Sequence, residues 1–319
     1  MKLIKFINNN KNIIKLYIIF LDYLNENNII YKNITDNINK LMAEFFLKLI
    51  NNENLEEIKK YFFKVIKDKN INILYNINFN KKIKINKINY NIINLSNNKE
   101  FKIIFKIEYN NKIINIEKIL ANFTYLKIHN TNNRIEKYLL LFYIIMGFDT
   151  GQFWGLHPKF YNFINGHFKN SIECFASPFN NNLNDYFSVL YNIDKYYGSK
   201  GDFFQNFLNV KYEAYIINPP FIDTIISKVL KLIDEKLLID AVQIFFFIPQ
   251  WDDLIIPWYN IIKTKYIHSM CKLNKYESIV FDYIANKPIK ASFGTYFIYI
   301  NNISSKLCNI MKLNYNDNL

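Results

Sequence analysis

The residues with the clearest chemistry are Asn218, Pro219, Pro220 and Phe221. The apolar run Tyr215-Ile216-Ile217 leads into them and a helical pattern starts at Ile222, so the segment reads as a buried strand, a rigid loop and a helix. Ligands of open α/β sheets gather beyond the carboxyl ends of strands, which puts this loop where chemistry is expected. An exocyclic amine on a nucleobase is a poor nucleophile because its lone pair is delocalised into the ring. The Asn218 carboxamide oxygen and the Pro219 carbonyl can each accept one of its N–H bonds and draw the nitrogen toward tetrahedral geometry, while Phe221 offers a flat face for stacking. Two consecutive prolines fix φ and preorganise the acceptors. Asn-Pro-Pro also serves simply to stop a strand, so the neighbouring segments decide between the two roles.

Upstream, Ile172-Glu173-Cys174-Phe175 reads as a strand that ends in Ala176-Ser177-Pro178-Phe179-Asn180. Small residues at a strand end let a cofactor approach the backbone, although no G-x-G is present. Asp194 precedes Tyr197-Gly198-Ser199-Lys200-Gly201. An acidic group here can take the ribose hydroxyls or adenine amine of a nucleoside cofactor and Lys200 can meet a phosphate; a solvated Gly-Ser-Lys-Gly turn is the plainer reading. Arg134 opens a helix capped by Thr131 or Asn132, and Gly151-Gln152-Phe153-Trp154-Gly155-Leu156-His157-Pro158 precedes a second helix from Phe160 to Phe168. After the Asn218 loop a helix from Ile222 to Glu235 leads to the strand Val242–Ile248, closed by Pro249-Gln250-Trp251; Tyr266–Leu273 and Ala291–Ile300 read as a terminal antiparallel pair. Trp251 and Trp258 can stack on a base or pack in the core.

The first third carries no nameable chemistry. Residues 1–34 read as helical, Thr35 caps a helix with the stripe Ile38, Leu41, Met42, Phe45, Phe46 and Leu49, and a further amphipathic segment covers Leu55–Ile66. Between Ile71 and Ile116 the apolar period falls to two, in Ile83 and Ile85, then Ile88, Tyr90 and Ile92, then Phe101 to Ile107, with breaks at Asn80-Lys81, Ser96-Asn97-Asn98 and Asn110-Asn111. That pattern predicts a small antiparallel meander.

Composition bounds the function classes. The chain has 319 residues, 50% hydrophobic and 18% aromatic, which excludes a disordered chain. Asn, Ile and Lys dominate while Gly and Pro number 7 each, so the scarce Gly, Pro, Trp and the single arginine, Arg134, mark positions that need them. Arg134 suits a bidentate contact with a phosphate or a structural pair with a carboxylate. A net charge of +13 suits a polyanionic partner, although a bias toward Lys codons also raises it. The three cysteines, Cys174, Cys271 and Cys308, and four histidines, His129, His157, His167 and His268, form no zinc spacing and no disulfide framework. The apolar run Ile13–Leu24 is interrupted by Lys15 and Asp22 and is too short to span a bilayer, so the chain reads as soluble and intracellular with no membrane partner.

Glu173-Cys174-Phe175-Ala176-Ser177-Pro178, Tyr197-Gly198-Ser199-Lys200-Gly201, Asn218-Pro219-Pro220-Phe221 and Phe247-Ile248-Pro249-Gln250-Trp251 occur in that order, and together they resemble the cap-specific adenosine N6-methyltransferases, the family of the phosphorylated-CTD-interacting factor. The resemblance covers roughly residues 135–300. It implies a Rossmann-like α/β methyltransferase sheet with an accessory region, S-adenosylmethionine as donor, and as substrate the first transcribed adenosine beside the 7-methylguanosine cap of mRNA. Carried over by position, Asn218, Pro219, Pro220 and Phe221 are catalytic. Ala176, Ser177, Pro178, Asn180 and Asp194 hold the donor, and Lys200, Arg134 and Trp251 meet the substrate. Lys200 stands where Arg is expected and Gln250 where Glu is expected, and no WW module for a phosphorylated polymerase tail is seen. The expected organisation is an accessory region over 1–130, a methyltransferase domain over 131–305 and a tail over 306–319. Two other readings use the same residues: N6-adenine methylation of internal RNA or DNA, and a non-catalytic cap- or RNA-binding module.

Overall fold

The computed structural model describes residues 81–95, 100–121, 154–250, 267–283 and 287–301, with Lys15, Ile18, Ile19, Asp22, Lys60 and Tyr143. The helices expected within 1–66, the Arg134 helix, Gly151-Gln152-Phe153, Trp251, Trp258, His129 and Cys308 lie outside the described residues. The chain divides into two compact units, Met1–Thr124 with Ile128–Phe153 and Tyr125–Lys127 with Trp154–Leu319.

The first unit contains an antiparallel sheet of β1 (Ile85–Leu95), β2 (Glu100–Tyr109) and β3 (Lys112–Ala121), in that order. Alternation decides its faces. Phe105, Ile107, Tyr109 and Ile114 are buried, while Lys106 and Ile113 face solvent. Asn110 and Asn111, at φ 41° and 61°, make the two-residue link between β2 and β3. Two positive φ values match the twist of a hairpin, and Asn tolerates that region better than most residues. Ile83 lies in the lead-in to β1, and Ile85, Ile88 and Ile92 lie within that strand. The Tyr109 hydroxyl donates to Asp22 at 2.7 Å, and Lys81 and Lys112 pair with the same carboxylate at 2.5 and 3.3 Å, so this buried charge is satisfied.

The second unit is built on a six-stranded sheet. Its strands are β4 (Ser171–Glu173), β5 (Asp185–Tyr186), β6 (Ala214–Ile217), β7 (Gln243–Gln250), β8 (Ile267–Leu273) and β11 (Gly294–Asn301), in the order β5-β4-β6-β7-β11-β8. The first four are parallel, and β11 runs antiparallel to both of its neighbours, β7 and β8. Strand β8 therefore shares the direction of the parallel four. All four residues of β6 are buried, as a strand covered on both faces requires, and β7 is buried from Ile244 to Pro249. Pro249 sits within β7, where the pairing with β6 has already ended at Phe246, so its missing N–H costs the parallel ladder nothing.

Helix α1 (Pro158–His167) starts two residues earlier than the periodicity predicts, because Pro158 suits the first helical turn and the His157 ring accepts from the Lys159 N–H at 3.2 Å. Its buried face, Phe160, Tyr161 and Ile164, packs with Ile216, Phe245 and Phe247 of the sheet. Helix α2 (Asp223–Ile239) buries Ile225, Ile226, Val229, Leu230, Ile233 and Leu237 at helical spacing. On the same helix Lys236, wholly buried, donates to the carbonyls of Leu208 and Val210 at 3.1 and 2.6 Å and pairs with Asp240. A small hairpin of β9 (Ile279–Asp282) and β10 (Lys287–Lys290) completes the unit. Among the described residues, no helix is long and apolar enough to cross a membrane.

Candidate functional site

The chain passes from β4 to β5 on one side, then adds β6 on the other side of β4. This reversal is a topological switch point beyond the carboxyl ends of β4 and β6, the position at which open α/β sheets bind ligands. The two strands are paired, Glu173 opposite Ile216, and the Cys174 N–H donates to Ile216 at 2.8 Å. Two loops thus leave adjacent strands, ~5 Å apart.

The loop after β4 is closed upon itself. Asn180 Oδ1 accepts from the Ser177 N–H at 2.7 Å and from its hydroxyl at 2.8 Å, while Ser177 Oγ accepts from the Phe179 N–H at 3.2 Å. Ala176, Ser177, Pro178 and Asn180 are all buried. Glu173 ties the far end of the turn to helix α1. The Tyr161 hydroxyl on α1 donates to one of its oxygens, and the Asn182 N–H donates to the other at 2.9 Å. Burial pushes this carboxyl up to about 7, and the bonds from Tyr161 and from the Asn182 and Leu183 N–H groups hold it lower than burial alone would.

The loop after β6 is more open. Asn218, Pro220 and Phe221 are half-buried, and Pro219 is buried. The Ile222 N–H occupies the Pro220 carbonyl at 2.7 Å. Asn218 Nδ2 donates to the Trp154 carbonyl at 3.4 Å. A carbonyl accepts and does not donate, so this contact identifies the group facing Trp154 as the amide NH2 and leaves Oδ1 as the acceptor. The Phe221 ring meets Phe293 edge to face, centroids 5.6 Å apart. Phe293 lies in the turn before β11, next to Gly294. A Cβ on Gly294 would lie 2.5 Å from Gln250 Oε1, so glycine lets the Gln250 side chain lie against the start of β11.

The remaining sequence-predicted residues sit elsewhere. Asp194, at the end of the one-turn helix Tyr191–Asp194, is fully buried. Its charge adds to burial in pushing the Tyr186 phenol up. The Gly-Ser-Lys-Gly segment opens with an exposed turn at Gly198, φ 101°, and then follows the sheet edge: Ser199 bridges Tyr186 in parallel, and the Lys200 N–H donates to the Tyr186 carbonyl at 2.8 Å. The Lys200 ammonium pairs with Asp185 at 3.1 Å. Asp185 is level with Ile172, which is level with Tyr215, three residues before Asn218. That pairing is therefore ~10 Å down the sheet from the carboxamide. Arg134 and Trp251 are outside the described residues. Sequence reasoning assigned no role to the Trp154 carbonyl, Tyr283, Asn182 or Phe293; the crowding of scarce residues around Trp154 and Gly155 was the available signal.

The family model described as phosphorylated CTD interacting factor 1 WW domain matches residues 121–282, half of the chain. The matched region contains β4 to β7 and both strand-end loops. A search of the curated proteins gives no match. The description names a WW domain, which is at odds with the expectation that the chain carries no such module.

Proposed function

The chain belongs to the phosphorylated CTD interacting factor 1 family, and from that premise we propose that it is an S-adenosylmethionine-dependent RNA methyltransferase. It acts on N6 of the first transcribed adenosine, next to the 7-methylguanosine cap of mRNA. The observation that carries this reading is the orientation of Asn218: its NH2 is turned to the Trp154 carbonyl at 3.4 Å, so its oxygen is the group available to an incoming amine. The strand order, with five strands in one direction and β11 reversed between β7 and β8, supports a Rossmann-like methyltransferase sheet. The topological switch point and the small residues Ala176, Ser177 and Pro178 in the turn beyond β4 support a donor site there. S-adenosylmethionine supplies an electrophilic methyl group when bound.

The chain's own residues act on the base. Asn218 Oδ1 and the Pro219 carbonyl accept the two N–H bonds of the amine and direct its lone pair, and Phe221 holds the ring by stacking. Positioning supplies much of the rate, and no general base is required because the proton can leave after transfer. The family description also names a phosphorylated CTD, and binding of such a tail is carried to this chain as part of the same proposal; retention on phosphorylated but not unphosphorylated tail peptides tests it. The central test is methyl transfer from labelled S-adenosylmethionine to RNAs that begin with adenosine, capped and uncapped, with nucleoside analysis by mass spectrometry. N6-methylation of the first nucleotide of the capped RNA alone is the expected result. Internal methylation of both RNAs overturns the cap assignment, and donor binding without transfer to either turns the reading toward a non-catalytic module.

A further inference from the structure

The Asn218 carboxamide is the last link of a hydrogen-bonded path that begins in the turn after β4. The Asn182 amide donates to the Asn180 carbonyl at 3.0 Å and to the Tyr283 hydroxyl at 2.7 Å. The Tyr283 hydroxyl donates to the Leu156 carbonyl at 2.6 Å. Leu156 lies in a short strap, Trp154 to His157, whose Gly155 exchanges both backbone hydrogen bonds with Phe281, at 3.0 and 2.8 Å. The first carbonyl of the strap, on Trp154, is the one that receives Asn218 Nδ2. Tyr283 is 3% exposed, and a Cβ on Gly155 would lie 2.5 Å from its ring. The phenol is thus wedged under the strap, with its hydroxyl facing Asn182 and the Leu156 carbonyl.

We infer that Tyr283 and Asn182 are positioning residues: through the strap they hold the Trp154 carbonyl where it turns the Asn218 oxygen toward the substrate amine, and they tie that orientation to the turn after β4. This inference rests on the proposed methyl transfer for its kinetic reading. A carboxamide free to rotate presents NH2 to the amine as readily as oxygen, and a donor facing a donor repels. Orientation is therefore worth a rate factor without changing what binds.

The test is a double-mutant cycle. Tyr283→Phe removes one hydroxyl and keeps the ring. It is expected to lower kcat about tenfold, the size of one lost buried hydrogen bond, while donor affinity by calorimetry and RNA KM stay within about twofold. Asn218→Asp keeps an acceptor oxygen but has no N–H for Trp154, so Tyr283→Phe should have no further effect on kcat in that background. An equal loss in both backgrounds overturns the inference, because a general structural role is indifferent to residue 218. Gly155→Ala, which displaces the wedge from the other side, should reproduce the kcat loss with donor affinity intact; a loss of donor affinity instead overturns it. Should the wild-type protein transfer no methyl group, the proposed function fails, and the inference is decided by unfolding midpoints. The Tyr283→Phe and Asn218→Asp shifts must then be non-additive, and additive shifts overturn it.

Discussion

After β4 the chain turns through Ser177 and Asn180, whose side chains bond to one another and to the backbone of the same turn, whereas after β6 the Asn218 side chain makes one long bond among the described residues, to the Trp154 carbonyl. Both loops leave the carboxyl ends of adjacent parallel strands of one sheet. The first has a buried carboxylate, Glu173, fastening it from beneath, and the second has two prolines. A loop whose side chains are spent on its own shape can offer a ligand mainly backbone and contour. A loop whose carboxamide is only aimed can act by that side chain. The division matches what the proposed nucleoside cofactor and the proposed reacting amine would each require: a fixed surface for the one, and a directed acceptor for the other.

Asn218→Ala should break this comparison most strongly. Removing the acceptor is expected to lower turnover by roughly 10²–10³, the usual cost of deleting one preorganised group at a reacting centre, and to leave donor affinity within about twofold. Unchanged turnover would end the assignment of Asn218 to the reaction. The effect belongs to the β6 loop alone if the turn after β4 holds the donor without it.

The next two predictions act on the β4 loop. Glu173 has a folded-state carboxyl raised from 4.5 to about 7 by burial. The folded state therefore binds more protons than the unfolded state between these values, and stability falls as pH rises through that window. The shift corresponds to roughly 3 kcal/mol lost above pH 7 relative to pH 4. Glu173→Gln can donate to Tyr161 after the hydroxyl turns and can accept from Asn182, so its unfolding free energy should be nearly flat from pH 5 to 8. Parallel pH profiles of the two proteins would contradict the buried-carboxyl account. Asn180→Ala strands the Ser177 N–H and hydroxyl and should cost about 2 kcal/mol of stability. Donor affinity is expected to weaken about tenfold, with turnover at saturating donor nearly unchanged. A fall in saturated turnover instead would place this turn in the chemical step.

Much of the sheet was legible because burial wrote it locally. Tyr215-Ile216-Ile217 and Ile244 to Ile248 are apolar without alternation, as strands covered on both faces must be, and Asn110-Asn111 carries the positive φ values of a tight hairpin. The Asn218 loop was legible for the opposite reason, since an amide before two prolines breaks the apolar pattern where a strand should simply end. What could not be read was partnership. Tyr283 meets Leu156 across 127 positions and Asn182 across 101, and no periodicity links them. The hairpin of β9 and β10 was missed because its strands are four residues each and one contains Pro288. Lys200 illustrates the limit for charge: its spacing before β6 suggests a phosphate contact, and no spacing in the sequence shows that its ammonium pairs with Asp185, one residue before the carboxyl end of β5.

Phe221 gives the finest probe of the open loop. Its ring is half-buried and packs edge to face with Phe293 at 5.6 Å, a contact that either core packing or a base platform would produce. The two roles separate under substitution by size and by aromaticity. Phe221→Leu keeps most of the apolar contact and removes the π face, so a stacking role predicts about a tenfold rise in RNA KM, with kcat and thermal midpoint little changed. Phe221→Trp enlarges the face, and the same role predicts a KM at or below wild type despite the added bulk. A packing role reverses both outcomes: leucine is tolerated, tryptophan strains against Phe293 and lowers the midpoint, and KM follows stability. Measuring KM and midpoint on the same two variants therefore decides whether the ring serves the substrate or the fold, and whether the open loop differs from its closed neighbour in what it binds as well as in how it is built.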